Sequence, residues 1–129
     1  MRVLAVDPGE VRIGIAISDP LGVVARPLTV LDHISRSDDA QHIIDLARQN
    51  EAEKIIVGLP LDQDGGIGHQ ARKSLRLIEE IRFKTNLEVI AWDESGSTET
   101  ARSIKPADDL LDALAAAVIL QDYLNVQSI

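Results

Sequence analysis

Asp7 closes the apolar run Val3-Leu4-Ala5-Val6 and is followed at once by Pro8-Gly9. A carboxylate at the end of a buried strand needs a cation or hydrogen-bond donors, because its desolvation costs several kcal/mol. Such a residue either helps to build a metal or phosphate site or caps the turn made by the Pro-Gly pair. Further acids stand far along the chain: Asp93-Glu94 directly after Trp92, and Asp112 within Leu110-Leu111-Asp112-Ala113-Leu114-Ala115-Ala116. With Ala115 and Ala116 at i+3 and i+4, Asp112 shares a small, apolar helix face that turns toward a sheet; the competing reading is a solvated first-turn acid favoured by the helix dipole. Acids drawn together from three segments suit magnesium or manganese. Like charges a few ångströms apart raise one another's pKa, and a divalent ion relieves that repulsion while orienting a water and polarising a phosphoryl oxygen. A pair of such ions about 3.5–4 Å apart would stabilise both the entering and the leaving oxygen of phosphodiester hydrolysis.

Periodicity supplies the elements that must carry these acids. Residues 2–6 form a continuous apolar run suited to a central strand. Residues 12–18 alternate Ile13, Ile15 and Ile17 with Gly14, Ala16 and Ser18, giving a second strand one bulky face and one very small one. The small face admits close approach by a helix or by a substrate backbone. Leu21-Gly22 marks a turn before a third strand over 23–31, whose Pro27 belongs at a sheet edge. Ser37-Asp38-Asp39 then offers N-cap oxygens and first-turn acids to a helix ending near Asn50. A buried strand over 54–59 stops at Pro60, a Gly- and Asp-rich loop covers 61–68, and helical spacing returns over 69–84. A fifth strand over 87–92 and a long helix over 107–124, with Pro106 at its start, complete the order βββαβαβα. The fold class is therefore α/β: a five-stranded mixed sheet, antiparallel through the opening meander and parallel across the βαβ crossovers, with helices on both faces. One domain over residues 1–129, without repeats or linkers, accounts for the whole chain.

Composition narrows the setting. A hydrophobic content of 45% with 26% charged residues is ordinary for a globular protein, and the absence of cysteine excludes disulfides and thiolate zinc sites. No apolar stretch approaches the roughly 18 residues of a membrane span, so a cytoplasmic protein with no membrane partner is expected. Thirteen Lys and Arg against 21 Asp and Glu leave a formal net charge of −8, which counts against tight, purely electrostatic binding of nucleic acid. Acids gathered around divalent cations lower the formal charge of an enzyme that reaches phosphates through its metal.

Four blocks in register carry a family resemblance: Asp7-Pro8-Gly9 with Arg12-Ile13-Gly14-Ile15-Ala16-Ile17-Ser18-Asp19; Val57-Gly58-Leu59-Pro60-Leu61 with Asp64-Gly65; Trp92-Asp93-Glu94 with Ser97-Thr98 and Ala101; and Asp112-Ala113-Leu114-Ala115-Ala116-Ala117 with Ile119-Leu120-Gln121 and Tyr123-Leu124. Together they resemble the YqgF family, also called RuvX, over nearly the whole chain. The resemblance implies an RNase H-like fold related to the RuvC resolvases and a nuclease dependent on one or two Mg²⁺ or Mn²⁺ ions. It implies catalytic, metal-holding acids at Asp7, Glu94 and Asp112, and substrate contacts at Arg12, Ser97 and Thr98. The expected substrate is pre-16S ribosomal RNA at its 5′ end, with structured DNA such as a Holliday junction as the alternative. A diverged nucleic-acid-binding member without catalysis and an actin-like ATPase half are the other readings, and the oligomeric state is left open.

This chain also departs from the family pattern. Family members read Asp-Glu-Arg where this sequence has Asp93-Glu94-Ser95-Gly96, and the segment between Glu94 and Asp112 is shortened and acidic around Asp108-Asp109. Both changes remove positive charge from the expected substrate side. In related RNase H-like nucleases an acid near the end of the fourth strand can be a ligand, which keeps Asp62 and Asp64 as alternatives to Glu94. Beside Gly65-Gly66 they read more simply as turn formers. Arg12 either reaches a phosphate or pairs with a neighbouring acid. Arg72, Lys73, Arg76, Arg82 and Lys84 make 69–84 the most basic stretch and read as a solvated helix face. Trp92 reads as core rather than as a base-stacking platform.

Overall fold

The computed structural model describes residues 1–61, 64–93 and 109–127, with side chains of the last segment from Leu111 onward. Five strands, β1 (Arg2–Asp7), β2 (Arg12–Ser18), β3 (Ala25–Asp32), β4 (Ala52–Leu59) and β5 (Glu88–Asp93), make one sheet in the order β3-β2-β1-β4-β5. β1 pairs antiparallel with β2 and parallel with β4; β2–β3 is antiparallel and β4–β5 parallel. The helices are α1 (Arg36–Gln49), α2 (His69–Lys84) and α3 (Asp109–Gln127). The order and the mixed sheet are those expected from the sequence. Pro27 does lie on the edge strand, opposite Ala16, where the β2–β3 register shifts and one residue bulges out.

The alternation in β2 divides the core into two. Ile13, Ile15 and Ile17 are fully buried with Leu4, Val6, Ile55 and Val57 against α1 and α2, through Ile43, Ile44, Ile78 and Ile81. Burying each such side chain contributes about 1.5–3 kcal/mol. On the opposite face, Ala16 packs with Val3, Ala5 and Ile56 against Ala116, Ile119, Leu120 and Tyr123 of α3. A Cβ at Gly14 would lie 2.0 Å from the backbone oxygen of Asp112. Thus a helix, not a substrate backbone, occupies the small face.

The start of α1 differs from expectation. Its N-cap is Ser35, whose hydroxyl accepts from the Asp38 N–H at 3.1 Å, rather than the Ser37-Asp38-Asp39 group. The competition is decided by Asp39, which is buried and accepts from the Ile34 N–H at 3.0 Å and contacts the His33 ring, fixing the chain two residues earlier. At the other end of the sheet, the Ser18 hydroxyl is buried, accepts from the Val3 N–H and donates to the Asp19 carbonyl. Asp19 in turn accepts from the Val23 and Val24 N–H groups at 2.7 and 2.9 Å. Those donors, Val24 first, hold its carboxyl below the ordinary carboxylate range.

Candidate active site

Asp7 ends β1, and only 3% of it is exposed. Because β1, β4 and β5 run parallel, their C-terminal ends Asp7, Leu59 and Asp93 lie along the same edge of the sheet, where sites in open α/β sheets form. Asp7 faces Gly14 in the β1–β2 ladder, and the backbone of Asp112 rests on Gly14. Residues 105 positions apart in sequence are therefore stacked through one glycine. They share a cleft of about 320 Å³ walled by Pro8, Gly9, Arg12, Gln70 and Leu111. Gly9 permits the tight turn between the strands, since a Cβ there would sit 2.3 Å from the Arg12 carbonyl oxygen.

Arg12 crosses the cleft wall: its Nε–H donates to Asp112 Oδ2 at 2.7 Å, and both side chains are about three-quarters buried, 23% and 25% exposed. Of the two readings of Arg12, pairing with an acid is the one seen. Asp112 accordingly looks toward the sheet, as its alanine neighbours indicated. On the far wall, Gln70 Nε2 donates to Glu10 Oε1 at 2.6 Å, and Lys73 Nζ stands 3.9 Å from the same oxygen. Glu10 and Gln70 were not singled out from sequence. The available signal was positional: Glu10 lies in the turn after Asp7, and Gln70 opens the helix following the strand parallel to β1.

Asp7 and Asp112 are thus brought together, with Arg12 between sheet and helix. Glu94, Ser97, Thr98, Ser95 and Asp62 lie outside the described residues. Among the described residues, no three carboxylate, imidazole or thiolate side chains cluster closely enough to hold a metal. Asp64 is a turn former: its Oδ1 accepts from the Gly66 N–H at 3.0 Å, and it is exposed. Trp92 is half-buried and meets Tyr123 edge to face at 5.2 Å, a packing role rather than a stacking platform. Two of the basic residues of α2 are structural: Arg82 donates to the Val89 carbonyl at 2.7 and 3.2 Å, and Lys84 lies 3.7 Å from Glu80.

Residues 1–126 match the family described as RuvX, Holliday junction resolvase. A protein named "Putative pre-16S rRNA nuclease" from Clostridium acetobutylicum is 38% identical over 133 residues, covering 97% of this chain and 98% of that protein. One of the same name from Syntrophus aciditrophicus is 38% identical over 136 residues, covering 99% and 91% of the two chains. Among solved structures, RuvC of T. thermophilus in complex with Holliday junction substrate superposes with a TM-score of 0.59 at 18% identity, over 99% of this chain and 96% of that one. The fowlpox virus Holliday junction resolvase gives 0.58 at 16% identity, over 98% and 99%. At such identities these structures bear on the fold alone, and that fold is the RNase H-like one. No helix among the described residues is long and apolar enough to cross a membrane.

Proposed function

This chain belongs to the RuvX family, and from that premise we propose that it is a metal-dependent, cytoplasmic nuclease that hydrolyses phosphodiester bonds in the 5′-end processing of pre-16S ribosomal RNA, acting as a single domain over residues 1–129. The observation that carries the proposal is the convergence of Asp7, almost fully buried at a strand end, and Asp112 on one open cleft. Near full-length identity to relatives carrying a nuclease name supports it.

The donor set suits a hard divalent cation, since the carboxylates of Asp7 and Asp112 line one cleft and offer oxygen only. Asp7, Asp112 and Glu94 would hold Mg²⁺ or Mn²⁺, which when bound supplies polarisation of a phosphoryl oxygen and activation of a water. The chain's own residues do the positioning. Burial fixes Asp7, and the Arg12 guanidinium holds Asp112 by one oxygen. The Glu10–Gln70 bond closes the opposite wall. Arg12 then neutralises part of the charge that a phosphate would meet on entering, and Ser97 and Thr98 would hydrogen-bond the strand.

The test is incubation with 5′-extended ribosomal RNA and with a generic single-stranded RNA, in Mg²⁺ or Mn²⁺, beside Asp7→Asn. Metal-dependent cleavage of the ribosomal substrate by the wild type, reduced by about two orders of magnitude or more in Asp7→Asn, is expected, because several kcal/mol of metal-borne stabilisation is lost. Equal cleavage by both proteins would remove Asp7 from the mechanism. The description of the family favours a second reading, a resolvase acting on four-way DNA junctions. A junction DNA added as a competing substrate separates the two.

A further inference from the structure

A second cleft, of about 260 Å³, adjoins the first and shares Pro8 as a wall. It is lined by His33, Ser35, Arg36, Asp39, Lys73, Arg76 and Leu77. Two features of the fold hold the clefts side by side. The His33 N–H donates to the Val11 carbonyl at 2.9 Å, tying the end of β3 to the turn that carries Glu10. Along α2, Gln70 lines the first cleft, while Lys73, Arg76 and Leu77, three to seven residues on and on the same face, line the second.

The electrostatics of this second cleft are unlike those of the molecule as a whole. The chain carries a net charge of −8, yet here Arg36, Lys73 and Arg76 converge with His33 on one concavity. Its one lining carboxylate, Asp39, is buried and already engaged by the Ile34 N–H and the His33 ring. Arg36 and Arg76 are exposed and make no ion pair among the described residues. Two guanidinium groups left without carboxylates, in an acidic protein and one proline from the candidate active site, match a ligand with several anionic oxygens.

We propose that this cleft binds a backbone phosphate of the nucleic-acid strand whose scissile bond lies at Asp7, so that the strand crosses Pro8 between the two clefts. The proposal rests on the nuclease reading and adds to it the path of the substrate. It replaces, for Lys73 and Arg76, the solvated-face reading of α2.

The experiment measures binding of a labelled single-stranded RNA in chelator, where no metal-dependent cleavage proceeds, as a function of salt. Wild type, Arg36→Gln/Arg76→Gln, Arg26→Gln/Arg48→Gln and Asp7→Asn are compared. The four substituted arginines are exposed, and the second pair changes net charge equally but lies away from the cleft. Loss of the cleft pair should weaken binding about tenfold or more and lower the salt slope by about 0.7 for each phosphate no longer neutralised. The control pair should retain the wild-type slope. In Mg²⁺, the cleft pair should raise KM with kcat retained. Wild-type affinity and slope in Arg36→Gln/Arg76→Gln, equal losses in both arginine pairs, or no binding by the wild type would each overturn the subsite. Failure of the nuclease reading has a different signature, namely arginine-dependent binding without any cleavage that Asp7→Asn removes.

Discussion

Arg12 spends its Nε–H on Asp112, so the side chain that the sequence offers as a phosphate ligand also fixes a carboxylate of the cleft. Because both groups are mostly buried, removing one leaves the other poorly solvated. Arg12→Gln should therefore cost about 1–3 kcal/mol, read as a lower midpoint in urea unfolding, and Arg12→Lys should recover only part, since an ammonium is a point charge without the guanidinium fork. An unchanged midpoint in Arg12→Gln would mean that the pair contributes nothing. Asp7 gives a second residue-level expectation through linkage. Mg²⁺ at about a hundred times its dissociation constant should stabilise the wild type by about 2.7 kcal/mol, visible as a raised Tm, and Asp7→Asn should lose that increment. A Tm that rises equally in both proteins would place the ion elsewhere. Asp7 was legible in the sequence because a strand-end acid is physically expensive. The partner of Arg12 was not, because it lies 100 residues away and only the packing of α3 supplies it.

Elements set the site through main-chain packing. Gly14→Ala would press a methyl into the Asp112 carbonyl, and backbone cannot step aside as a flexible side chain can. Lifting α3 off β2 should cost about 1–3 kcal/mol and carry Asp112 away from Asp7, so cleavage and thermal stability should fall together. Full activity in a stable Gly14→Ala protein would contradict this coupling. On the same helix, Lys54 Nζ of β4 donates to the Tyr123 hydroxyl at 2.8 Å and lies 3.5 Å from Glu88. The bond to Tyr123, against the opposing effect of burial, raises the Lys54 pKa above its ordinary 10.5. Its stabilisation is complete below the unfolded value of 10.5 and is lost as pH rises through the higher folded value. Tyr123→Phe should therefore lower the Tm at pH 8 and lose less of it than the wild type on going to pH 11; parallel melting profiles would refute the link. The alternation of Ile13, Ile15 and Ile17 with Gly14, Ala16 and Ser18 made the two-faced sheet readable in advance. The start of α1 was misplaced because Ser35, Ser37 and Asp38 are all competent caps, and the choice between them falls to the tertiary tie of Asp39 to His33 and Ile34.

At the scale of the whole molecule, fold and family were readable because the periodicity set the strand and helix order and four motif blocks follow one another over nearly the whole chain. The charge distribution was not, since a net −8 conceals cations that meet only when α1 packs on α2. The division of the core has a consequence for how such a chain can change over generations. On the α1 and α2 side, contacts are made by large aliphatic side chains, and swaps that conserve volume cost little. Where β2 meets α3 the spacing is set by the hydrogen of Gly14 and the methyl of Ala16, and an added carbon at Gly14 would press on the backbone of the acid-bearing helix. A deep mutational scan scored for activity should thus find Ile13, Ile15 and Ile17 interchangeable with Val or Leu, while Gly14 and Ala16 admit almost nothing larger. The two sides of one strand would then record separate histories, one drifting and one nearly frozen.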